Sequence, residues 1–192
     1  MNNALKVLKL FADNKGSKFS IKKASERLKM NYRIAHEEII KLGKERLVSI
    51  TKYGNAKMCE FNHEFCGKAI EIEDIKREEL LKNQDIKLIH NRIREIKSPF
   101  YILAVFGSYA NKTNTKHSDI DLCLITNDKE ISKKAKDILS ITPINIHFLE
   151  FTSAQFSSML KTKENNVGNE IVKNSVILYG IESFYEMVNN AH

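Results

Sequence analysis

The sequence predicts an α+β protein in two parts: three short helices closed by a hairpin, then a small mixed sheet with flanking helices. Three observations predict it. The first third alternates apolar helical stripes with capping residues and ends in two strand-like runs around Tyr53-Gly54-Asn55. The last half holds an apolar run, Phe100–Phe106, followed by Gly107-Ser108, ten residues, and Asp119-Ile120-Asp121. Charge divides the chain in the same place: residues 1–66 carry 14 Lys/Arg against 7 Asp/Glu, whereas the other 126 residues carry 17 of each sign.

In the first part, Leu5, Leu8 and Phe11 form the stripe of a helix that ends near Asn14-Lys15-Gly16. Ser20 is placed to cap a second helix that turns Ala24 and Leu28 inward. Asn31 is placed to cap a third, from Tyr32 to Lys44, with Ala35, Ile39 and Leu42 inward and Tyr32, Arg33, His36 and Glu37 outward. Leu47–Thr51 and Lys57–Phe61 then pair as a hairpin. A charged segment, Glu64–Lys82, reads as a connecting helix, and Ile86, Ile89, Ile93 and Ile96 recur at helical spacing before Pro99. The expected boundaries are 1–66, a connecting segment 67–84, and 85–192.

The second part is read as strand Phe100–Phe106, a short helix from Ser108, strand Ile120–Ile125, helix Ser132–Leu139 and strand Ile144–Phe151. Helical segments over Ala154–Lys161 and Ile181–Asn189 complete it. Side chains alternate along a strand, so Asp119 and Asp121 project from one face. Two acids side by side repel unless a cation sits between them, and a hard divalent ion that also holds phosphate oxygens meets the need. Gly107 lets backbone approach a phosphate, and Ser108 adds a hydroxyl there.

Phe106-Gly107-Ser108, the ten-residue gap and Asp119-Ile120-Asp121-Leu122 resemble the polymerase-beta-type nucleotidyltransferase superfamily, most closely its small prokaryotic branch. The resemblance runs from Ile86 onward. It implies Mg²⁺ held by Asp119 and Asp121, a nucleoside triphosphate bound at Gly107, Ser108 and Lys112, and transfer of a nucleoside monophosphate to a hydroxyl with loss of pyrophosphate. It also implies a third acid on the next strand. There, Asn145, His147 and Leu149 share one face, and Glu150 has the opposite parity. His147 is therefore the candidate for a catalytic role, as general base or metal ligand. A single metal serving slow transfer, or nucleotide binding without turnover, stand beside that reading.

The first part resembles a winged helix-turn-helix domain. That likeness implies duplex DNA as a partner, with Asn31, Tyr32, Arg33 and His36 on the groove-reading helix and Lys52 and Lys57 on the wing. The fold expected for the whole is thus a winged helix-turn-helix domain followed by a mixed-sheet nucleotidyltransferase domain. The function expected is nucleotidyl transfer by a DNA-bound protein. The alternative is a transcriptional regulator or antitoxin whose second domain binds nucleotide or dimerises. A protein acceptor or toxin and a second copy of the chain are further candidate partners.

No apolar stretch reaches membrane-spanning length, which argues against a membrane partner. Three cysteines and no secretory leader point to the reducing cytoplasm. Cys59, His63 and Cys66 are spaced for zinc but number three where a structural site takes four.

Overall fold

The computed structural model describes residues 1–62, 67–162 and 164–191. It divides into two compact units, Met1–Ile72 and Glu73–His192.

The first unit begins with α1 (Asn3–Ala12), where the Asn2 side chain accepts from the Leu5 N–H. Strand β1 is only Phe19–Ser20, and α2 (Ile21–Arg27) starts directly on it, Ser20 accepting from the Lys23 N–H as expected. Helix α3 (Tyr32–Lys44) is capped by Asn31 and buries Ala35, Ile39 and Leu42. The expected hairpin is β2 (Val48–Tyr53) and β3 (Ala56–Phe61), and the unanticipated β1 joins it to give the antiparallel order β1-β3-β2. Val7, Leu8 and Phe11 of α1 form the core with Ala24, Ile39, Leu42, Leu47 and Cys59, all essentially inaccessible. Leu28, expected inward, caps α2 and is half-buried. His63 and Cys66 of the three-ligand zinc spacing lie outside the described residues.

Helix α4 (Gly67–Leu80) covers the expected connecting segment, and the division between the units falls within it. On it, Glu73 and Lys76 are buried and make polar contacts. Tyr185 donates to Glu73 Oε1 at 2.8 Å, Lys76 Nζ lies 3.4 Å from Glu73 Oε2, and Lys76 also donates to the Ser175 carbonyl at 3.1 Å.

The second unit is built on β4 (Ile102–Phe106), β5 (Ile120–Ile125), β6 (Ile146–Phe151) and β7 (Val176–Tyr179), in the order β6-β5-β4-β7. Strand β4 is antiparallel to both β5 and β7, while β6 runs parallel to β5, so the sheet is mixed. Helices α5 (Gln84–Ile93) and α7 (Lys129–Ser140) cover one face, where Ile86, Ile89, Ile93, Ile131 and Leu139 meet Leu103, Val105, Leu122 and Leu124. Asp128 caps α7 and starts it three residues before the Ser132 expected from the apolar stripe. Helices α8 (Ser153–Lys161) and α10 (Ile181–Ala191) pack on each other through Phe156 and Phe184, and Phe156 also meets Phe151 of β6. Helix α9 (Val167–Lys173) and β7 were not foreseen. Pro99 does not end α5, which closes at Ile93, and Phe100 is 76% exposed outside β4 rather than part of the buried strand.

Candidate functional site

The carboxylate site forms where three strands bring polar residues to one end of one face. Ile120 is buried in the core beneath α5 and α7, so the residues on either side of it, Asp119 and Asp121, turn to the opposite face. Asp119 is exposed, and the Asp121 side chain retains 25% of its accessible surface. Phe106, the last residue of β4, is in register with Asp121, which places the following Gly107-Ser108 turn against that carboxylate.

Gly107 is required twice over. Its φ is +65°, the left-handed region that a Cβ disfavours. A Cβ built on it would also lie 2.1 Å from Asp121 Oδ2, so carboxylate and backbone are in direct contact. The chain then makes a four-residue helix, α6 (Gly107–Ala110), which leaves Ser108 half-buried at the same edge. Among the described residues the Ser108 hydroxyl has no hydrogen-bond partner, while its carbonyl accepts from the Thr113 N–H at 2.9 Å.

On the parallel side, His147 pairs in register with Asp121, and its Nδ1 lies 2.9 Å from Asp121 Oδ1. A carboxylate only accepts, so Nδ1 is the donor in this contact and Nε2 is the ring nitrogen outside it. The His147 side chain is 56% exposed. Asn145 is exposed one step before β6, its carbonyl receiving the Ile120 N–H at 3.0 Å. The parity of this strand therefore places His147 beside the acids. Glu150 is on the other face, bonded to Ser132 and, at 2.5 Å, to Lys136 of α7. The Lys136 hydrogen bond, helped by Ser132, holds its carboxyl below the ordinary value.

Lys112 follows α6 with φ +58° and donates to Glu79 of α4 at 3.0 Å. Its partner is 33 residues away and carried no sequence signal. Cys123, two residues beyond Asp121, is fully buried, and burial pushes its thiol up to about 12, so it packs rather than reacts.

Both carboxylates are hard oxygen donors, the kind that suits Mg²⁺. Among the described residues no group of three or more His, Cys, Asp or Glu is gathered for a metal ion. The donor set thus fits a cation that draws the rest of its shell from water and phosphate oxygens, not an all-protein cage.

In the first unit the expected groove-reading residues line the exposed start of α3. Tyr32 is 54% exposed, with its ring centroid 6.2 Å from that of His36. Arg33 Nε donates to Glu37 Oε1 at 3.0 Å. Asn31 spends its side chain on the Arg33 N–H as the helix cap. Lys52 and Lys57 face each other across the hairpin, both exposed.

Residues 86–174 match the family model described as a nucleotidyltransferase domain. The matched stretch contains Gly107, Ser108, both acids and His147. A search of curated proteins found no match. A solved structure described as a toxin-antitoxin crystal structure with AMP-PNP is similar at 16% identity and a TM-score of 0.37, over 57% of this chain and 84% of that one.

Proposed function

We propose that this chain is a Mg²⁺-dependent nucleotidyltransferase whose first unit binds duplex DNA. The observation that carries the reading is the contact of Gly107 with Asp121, within a stretch that matches the nucleotidyltransferase domain. Asp119 and Asp121 would hold the metal, which would supply charge neutralisation and Lewis acidity at the triphosphate. Gly107 offers backbone free of any side chain to the phosphates, Ser108 offers its hydroxyl, and Lys112 offers a cation kept near by Glu79. His147 Nε2 accepts the proton of the incoming hydroxyl while Asp121 keeps the ring oriented. The acceptor is a hydroxyl of a protein or small molecule.

For the first unit, three helices followed by a hairpin, and the charge excess confined to residues 1–66, support a winged helix-turn-helix. Arg33 and His36, with Tyr32, are assigned to base edges, and Lys52 and Lys57 to phosphates.

A second reading has support from the polar end of β6, where His147 stands in place of a third carboxylate. In it the second unit binds nucleotide without turnover and the chain acts as a regulator. Incubation with Mg²⁺ and α-labelled nucleoside triphosphates, with and without cell extract, separates the two. Label transfer that disappears in Asp119→Ala/Asp121→Ala supports the transferase. Nucleotide binding with no transfer under any of these conditions supports the regulator. Duplex binding that is insensitive to salt and to Arg33→Ala would remove the DNA assignment.

A further inference from the structure

The imidazole beside Asp121 has the arrangement of a nucleophile as well as that of a base. Its Nδ1 faces a carboxylate at 2.9 Å, which leaves Nε2 as the ring nitrogen outside that contact, and its side chain is more than half exposed at the mouth of the site. A reactive group with its opposite nitrogen fixed by a carboxylate is the general pattern of an activated nucleophile. The register places it one strand from the acid, so its position is set by the sheet rather than by a loop. The Cys123 thiol on β5 is buried and protonated.

We infer that His147 Nε2 is itself a nucleotidyl acceptor, so that without a hydroxyl acceptor the chain forms a nucleotidyl-histidine on His147. This rests on the transferase reading and identifies a covalent form of that same site. In the first step the Nε2 lone pair attacks the α-phosphorus. A P–N bond forms, the P–O bond to the β-phosphate breaks, and that electron pair leaves with pyrophosphate. The proton on Nδ1 stays in its bond to Asp121, whose negative charge offsets the positive ring. In the second step a hydroxyl or water attacks phosphorus, the P–N pair returns to Nε2, and the attacking group's proton passes to solvent.

The test uses the full chain with Mg²⁺ and ATP, GTP, CTP or UTP labelled at the α- or γ-phosphate, without added acceptor. The expected result is a gain in intact mass equal to one nucleoside monophosphate, from α-label only. That label should be lost in dilute acid, survive alkali, and map to His147. His147→Gln should abolish it while retaining nucleotide binding. The linkage chemistry of the unmodified chain decides the matter even where that variant folds poorly.

Acid-stable label, label on another residue, or label from the γ-position overturns the inference. Transfer to an added acceptor with no self-label overturns it too, but leaves the transferase standing. Absence of both nucleotide binding and transfer overturns the inference and the transferase reading together.

Discussion

Arg33 and Glu37 on α3 pair at 3.0 Å with side chains 87% and 62% exposed, whereas Lys76 and Glu73 on α4 approach to 3.4 Å with 8% and 0% exposed. The chemical groups are the same in kind, but their surroundings differ. On the surface, water screens the attraction and such a pair contributes about 0–1 kcal/mol. Its members are therefore free to exchange one partner for another. In the interior each charge needs the others, because a lone buried charge is costly. The Arg33–Glu37 pair thus holds its charge at the surface, while the Lys76–Glu73 pair joins elements of the interior. The carboxylate site lies between these extremes, with Asp121 a quarter exposed and His147 just over half.

The largest expected effect breaks the buried cluster. Lys76→Met removes the lysine beside the buried Glu73 carboxyl, and should cost about 3–5 kcal/mol in urea unfolding, with Glu73→Leu/Lys76→Met recovering most of it. A double variant no more stable than the single would show that the pair does not act as a unit.

Next is Gly107→Ala. The left-handed backbone costs about 1–2 kcal/mol with a Cβ, and the added carbon displaces the Asp121 carboxylate. The melting temperature should fall, and nucleotide affinity should drop by at least about tenfold, or about 1.4 kcal/mol. Calorimetric melting and nucleotide titration measure the two separately, and unchanged affinity would remove Gly107 from the site.

On the first unit, Lys52→Ala/Lys57→Ala should leave the melting temperature nearly unchanged. It should lower the slope of log affinity for duplex DNA against log salt by about 2, roughly one for each phosphate deprived of its lysine. A lower melting temperature with an unchanged slope would make these lysines structural.

The smallest effect concerns Glu150. Lys136 and Ser132 hold its carboxyl low, so its contribution is present above the ordinary carboxylate range and is lost as pH falls through the lowered value. The pair is well exposed, so Glu150→Gln should cost under about 1 kcal/mol at neutral pH. The difference from the unmodified chain should close in acid, as thermal melts across pH would record.

What could be read from the sequence was local or periodic. Ser20 and Asn31 announce helix starts because a cap acts within three residues, and period two alone sends His147 to the acid face and Glu150 away from it. Strand β1 has two residues and α9 seven, too short for a period to emerge. The partners Glu79 for Lys112 and Tyr185 for Glu73 are 33 and 112 residues distant, and only the folded chain brings them together. Of the candidate site, the placing of the acids, the glycine and the histidine at one edge was legible. The grip of Glu79 on Lys112 was not.

Because β6 runs parallel to β5, with Asp121 opposite His147, the spacing between these strands is itself under constraint. Lengthening or shortening the α7–β6 connection at Thr142–Asn145 by one residue would, if β6 kept its backbone position, bring Ile146 or Phe148, respectively, opposite Asp121. The imidazole would then turn toward the apolar side beneath α7, and the polar end of the site would lose its histidine. Related chains that keep this histidine should accept substitutions in that connection far more readily than single-residue insertions or deletions.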